Sequence, residues 1–182
     1  MSFRSQKGFT IIELFIGAAI LAITLGLAGP SFVKMIKDNR VTSASNSFVT
    51  ALQLGKMESA ARSRPVTVCK SNADGDGCIG GGDWQQGWIV FADFAGDGGL
   101  NDQDELIFVH EALHDSITFG GTAGVANFIT YNPTGTTSLT STETLIICDE
   151  RGFDDSARGI LVAITGRGNV VKAENSGQTT CL

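Results

Sequence analysis

From Leu14 to Val33 the chain runs for 20 residues without a charged side chain. At a rise of ~1.5 Å per residue, a helix of that length is roughly 30 Å long, the thickness of the hydrocarbon layer of a bilayer. A cleavable secretory signal has a shorter apolar stretch, about 7–15 residues, and a small-residue exit. Here the run is longer and no A-x-A exit closes it. Pro30 removes one backbone donor inside the run, so a kink is expected there. Beyond it, Val41, Ala44, Phe48, Leu52, Gly55 and Ser59 recur at three- and four-residue steps, which predicts that the helix continues to about Arg62 and stops before Pro65. Lys34, Lys37, Arg40, Lys56 and Arg62 take the polar positions of this second half. Its apolar stripe suits a groove on the chain's own sheet, with a coiled-coil dimer as the alternative.

After Pro65 the pattern changes to alternation and short apolar runs. Eight segments read as strands: 65–70, 87–93, 105–111, 116–120, 126–132, 143–150, 159–165 and 169–174. Clusters of Gly, Asp, Asn, Ser and Thr separate them as turns of an antiparallel sheet. The predicted class is α+β: a long N-terminal hydrophobic helix packed on an antiparallel β-sheet or sandwich. The helix covers 9–62, apolar to about residue 33 and amphipathic after it, and one β domain occupies 63–182.

Composition agrees. Of 182 residues, 42% are hydrophobic and 18% charged, with 23 Gly. The formal net charge is −6, but residues 63–182 hold six Lys/Arg against sixteen Asp/Glu, a balance of −10. So acidic a body repels nucleic acid and anionic membrane unless cations cluster locally. Arg4 and Lys7 precede the apolar run, which holds the amino end in the cytoplasm and sends everything after Val33 outward. Four cysteines, an even number, fit an oxidising compartment.

Glu13 is the anomaly. A carboxylate costs ~2.5–3.5 kcal/mol at the bilayer centre on insertion scales and less near an interface. It is tolerated if neutralised, and a free amino group made by a cut just upstream would do so. Lys7-Gly8-Phe9-Thr10-Ile11-Ile12-Glu13-Leu14 resembles the processing site of type IV prepilins, with Ile11 in place of the more usual Leu. The resemblance implies a leader of residues 1–8, a cut between Gly8 and Phe9, and N-methylation of Phe9. It gives Glu13 the role of neutralising the Phe9 amine of a neighbouring subunit.

Further along, 61–69, Trp84–Asp93, Cys148–Gly152 and the stretch from Ala157 through Gly168 resemble, in the same order, minor pilins and pseudopilins of the GspH/FimT family. FimU-like minor pilins are nearest in form. The implied function is a non-enzymatic structural subunit at or near the tip of a type IV pilus, taking part in initiation of its assembly. The implied partners are a prepilin peptidase, other minor pilins, the major pilin and, before assembly, the inner membrane, with the β domain in the periplasm. A minor pseudopilin of a type II secretion system and a DNA-uptake pilin are the alternatives. Residues alone leave three pairings of the cysteines open. The resemblance implies Cys69 with Cys78 and Cys148 with Cys181, each worth ~2–4 kcal/mol.

His110-Glu111-Ala112-Leu113-His114 spells the zinc-protease pattern H-E-x-x-H, which requires a helix. It lies between two predicted strands, and four residues along a strand span about 13 Å, too far for one ion. The chain has no third histidine. Residues 93–105 partly match a calcium loop, with Asp93, Asp97 and Asp104 on ligand positions. Ala95 fills a third ligand position without an oxygen, so the segment is read as a solvated loop and only a weak Ca²⁺ candidate. The cysteines contain no C-x₂-C pair, and no cofactor is expected. Arg167, in Gly166-Arg167-Gly168-Asn169, is a lone cation in an acidic domain and cannot make the several phosphate contacts that DNA binding needs. Trp84 and Trp88 are expected in the core and at strand ends, not as a stacking platform for bases.

Overall fold

A computed structural model describes residues 8–182, leaving aside the side chains of residues 27, 28 and 30. One helix, α1, spans Ile11–Arg62. Its assignment runs through position 30 without a break; the kink expected from Pro30 concerns a side chain outside the description. By contacts the chain divides into two compact units, one up to Lys37 and one from Asp38 to Leu182.

In the second unit the eight expected strands all form, within a few residues of the segments read from the sequence. They are β1 (Val66–Lys70), β2 (Trp88–Ala92), β3 (Glu105–His110), β4 (Ile117–Gly121), β5 (Phe128–Tyr131), β6 (Glu143–Asp149), β7 (Arg158–Val162) and β8 (Gly168–Lys172). They make two four-stranded antiparallel sheets, ordered β3-β2-β1-β5 and β4-β6-β7-β8. Three single 3-10 turns, at Trp84–Gln86, Ala123–Val125 and Ala173–Asn175, carry no periodicity and were not foreseen. The last replaces the end of the predicted 169–174 strand.

The apolar stripe of α1 explains how the sheets are held. Val41, Ala44, Phe48 and Leu52 are buried in a core that also takes Val66 and Val68 of β1, Val90 of β2 and Ile147 of β6. Phe48 sits at its centre, edge-on to Trp84, Trp88 and Phe119 at ring distances of 5.0, 5.1 and 4.8 Å. Gly55 lets helix and sheet approach: a Cβ there would stand 3.2 Å from the Tyr131 ring and 3.3 Å from Val68. The helix ends in a Schellman arrangement, with Ser63 left-handed at φ 52° and the Arg64 amide donating to the Ser59 carbonyl.

β1, β2 and nearly all of β6 are buried on both faces, so the alternation expected of a one-sided sheet is absent there. The cause is visible in two satellite clusters. Cys69, Ile89 and Phe91 lie on the outer face of the first sheet under Cys78 and Leu100. Ile146, Cys148, Ala157 and Ala173 lie on the outer face of the second with Phe153 and Cys181. Each outer face is covered by a loop or tail that a disulfide ties down, Cys69–Cys78 in one case and Cys148–Cys181 in the other.

Candidate functional site

The N-terminal segment is built locally. Arg4, Lys7 and the rest of residues 1–7 lie outside the described residues. Gly8, Phe9 and Thr10 precede the helix, and Phe9 is 85% exposed. Thr10 caps it: its hydroxyl accepts the Glu13 amide at 3.3 Å and its carbonyl accepts the Leu14 amide at 3.2 Å. Glu13 therefore occupies the first turn, where the unpaired amides of a helix start favour an anion. Around and after it, Ile12, Phe15, Ile16, Ile20, Leu21 and Ile23 are exposed. An 18-residue window of this helix reaches a mean hydropathy of 2.4, long and apolar enough to cross a membrane, with none of it buried.

The H-E-x-x-H letters do not form a helix. His110 is the last residue of β3, and Glu111 to His114 are irregular chain. The His110 ring stacks on Trp88 with centroids 3.9 Å apart. The Nδ1 of His114 lies 2.9 Å from the Ser116 hydroxyl and accepts the Ser116 amide. The two imidazoles are thus committed to different neighbours. Trp84 and Trp88 are both fully buried, Trp84 on a 3-10 turn with its indole N–H donating to the Val125 carbonyl.

The aspartate loop shows how its carboxylates are used. Asp93 is fully buried, and its oxygens accept the amides of Gly96, Asp97 and Gly98 and the hydroxyl of Thr67. Thr130 joins Thr67 at 2.7 Å, extending the network across β1 and β5. Asp104 accepts the amides of Phe94 and Asn101, and Asp97 accepts that of Gly99. All three aspartates hold the loop's own backbone, the arrangement expected of carboxylates that shape a turn. Among the described residues, no group of three His, Cys, Asp or Glu side chains could hold a metal ion.

One ionic cluster was invisible in the sequence. Arg151, in the turn after β6, donates to Asp149 through Nε and a terminal nitrogen, and to Asp38 of α1 at 2.7 Å. Hydrogen bonding to Asp149 is the main reason its guanidinium is held above its ordinary pKa. The link fixes the first turn of α1 in the second unit to the end of β6. Arg167 lies in the β7–β8 turn and donates to Asn169 at 3.0 Å, while Arg158 donates to the carbonyls of Asp155, Ser156 and Ala157. These arginines shape turns.

The comparisons with known proteins agree with this build. The family described as type II transport protein GspH matches residues 44–168. Two crystal structures of the type IV minor pilin FimU of Pseudomonas aeruginosa superpose with TM-scores of 0.63 and 0.60, at 19% and 18% identity. They cover 79% and 78% of this chain and 96% and 99% of theirs. The minor pseudopilin EpsH of the Vibrio cholerae type II secretion system superposes with a TM-score of 0.50 at 12% identity, over 75% of this chain and 95% of that one. At such identities the likeness shows a shared fold. No curated protein matches the sequence.

Proposed function

The chain belongs to the GspH family, and from that premise we infer that it is a minor pilin of a type IV pilus, a non-enzymatic subunit at or near the tip that takes part in initiating assembly. One observation carries the reading: a helix whose described apolar side chains are exposed from Ile11 to Ile36, with a single acid in its first turn, precedes a domain that buries its own core. Residues 1–8 are a leader, 9–62 the assembly helix with its membrane and filament-core part to about residue 33, and 63–182 the β domain.

The mechanism is packing with one charge pair. Lipid tails are as apolar as the helix, so leaving them for a helical bundle gains nothing from hydrophobicity. Close approach and a neutralised polar group must supply the preference. Ala18, Ala22 and Gly26 recur at four-residue steps and leave room for a neighbour's helix. A peptidase cut after Gly8 would create an amine at Phe9, and Glu13 would meet that amine on an adjacent subunit. Other minor pilins and the major pilin are the partners. Before assembly the precursor spans the inner membrane once with its domain in the periplasm, and afterwards it is part of an extracellular filament.

The family description, which names type II transport, favours a second reading, the minor pseudopilin. Deleting the gene separates the two. Loss of surface pili with secretion intact supports the pilus, and loss of type II secretion with pili intact supports the pseudopilus. In the deletion strain, Glu13→Lys should be cleaved and inserted but fail to restore assembly; full restoration would overturn the charge-pair mechanism. The DNA-uptake alternative predicts a low-salt gel shift that Arg167→Ala removes.

A further inference from the structure

The two sheets have four edges, and they are treated differently. β5 is closed by its own following loop, with the Ser138 amide donating to Thr130 and Thr137 bridging Tyr131. β4 is closed by Gln85, whose side-chain oxygen accepts the Phe119 amide. β3 and β8 are bonded on one side only. β8 carries the edge protection common in natural sheets, with Asn169 and Lys172 exposed on it. β3 reads ELIFVH, and Leu106, Phe108 and Val109 are 42%, 39% and 40% exposed. Its protection lies at its start, where Glu105 pairs with Arg62 and a bulge at Ile107 shifts the register with β2 by one residue; Phe108 and Val109 beyond it carry no charge. Among the described residues, no backbone hydrogen bond is made along its outer side.

Beyond the bulge the strand separates two recesses. On the inner face Phe108 and His110 line a groove of about 550 Å³ whose other wall is the uncharged flank of α1, from Asn39 to Thr50. Where this groove continues toward Ile117, Arg40 and His114 line it. On the outer face Val109 and Glu111 line a cleft of about 720 Å³ shared with Asp74 on the Cys69–Cys78 loop. So a strand added to β3 would send alternate side chains into two unlike environments. The inner ones meet neutral hydroxyls, amides and aromatic rings, with the Arg40 guanidinium at one end. The outer ones meet two carboxylates in a domain of net charge −10.

We propose that the free edge of β3 and the chain that leaves it, from Ile107 to Ala112, docks an extended segment of a partner protein in which apolar residues alternate with Lys or Arg. The basic side chains enter the cleft of Asp74 and Glu111, and the apolar ones cover Phe108 and the His110 ring. The assignment stands on the surface of the second unit and does not depend on which assembly takes up the helix.

The test uses the full chain in an uncharged detergent and a capped peptide of alternating Val and Lys. Hydrogen exchange of residues 105–112 should slow about tenfold with peptide at about ten times its Kd, since protection scales with 1 + [L]/Kd. A peptide alternating Val and Glu, and one with Lys and Val in separate blocks, should protect nothing. The double variant Asp74→Lys, Glu111→Lys, which alters only exposed loop positions, should prefer the Glu peptide. The proposal is overturned by protection from neither peptide, equal protection from all three, or an unchanged preference in the double variant. Protection of β3 that grows with protein concentration alone would assign the edge to a second copy and overturn it too.

Discussion

Along residues 41–59 of α1, Val41, Ala44, Phe48 and Leu52 are buried by the chain's own sheets, whereas along residues 11–33 Ile12, Phe15, Ile20 and Leu21 are exposed. Backbone conformation is the same, and both stretches carry large apolar residues, more densely in the first. What differs is who covers them. Nothing in the chain covers the described side chains of the first half, and the second half is closed by β1, β2, β5 and their partners. A domain that finishes its own core can keep its fold while its helix changes surroundings, as the proposed move from membrane to filament would require.

The contrast breaks first at Phe48. Replacing it with Ala removes a ring that touches Trp84, Trp88 and Phe119, and should cost about 3–5 kcal/mol. Urea unfolding of the full chain in detergent, followed by the two tryptophans, measures it. Phe15→Ala in the same assay should leave the midpoint unchanged, because Phe15 is exposed. Next come the disulfides that close the outer faces of the sheets. With its cysteines 33 positions apart, removal of Cys148–Cys181 as the double Ser variant should cost about 3.5 kcal/mol, against about 2.5 for Cys69–Cys78 with a separation of 9. Asp93→Ala leaves the buried Gly98 amide, and the Gly96 and Asp97 amides beside it, without their acceptor, an expected loss of about 2–4 kcal/mol in the same unfolding experiment. The smallest effect concerns pH. Hydrogen bonds from the Thr122 and Ser141 hydroxyls hold the Glu143 carboxyl below its ordinary pKa. Its contribution is complete above the unfolded value of about 4.3 and is lost as pH falls through the lower folded value. Glu143→Gln should therefore flatten the fall of the urea midpoint below about pH 4.3.

Much of this division was legible in the sequence, for physical reasons that differ by element. All eight strands announced themselves through β-branched and aromatic runs between Gly- and Asp-rich turns. Their two-sided burial did not, because the covering segments around Cys78 and Cys181 lie far from the runs they cover. The Gly8–Glu13 signature is local and needs no tertiary structure to be read. Arg151 with Asp38 is the opposite case: the two are 113 residues apart, and no spacing rule connects them. Asp93 was recognisable as a loop residue, but its burial and its use as an acceptor for three amides depend on how the loop closes over Thr67. The open edge of β3 escaped notice because ELIFVH reads as an interior strand; only sheet order reveals a free side.

The most direct test of the account is the intact mass of the chain recovered from assembled filaments. The account predicts a polypeptide that begins at Phe9 and carries one methyl group on its amine, placing a cation where a neighbour's Glu13 can meet it. A chain still beginning at Met1 in functioning filaments would contradict it.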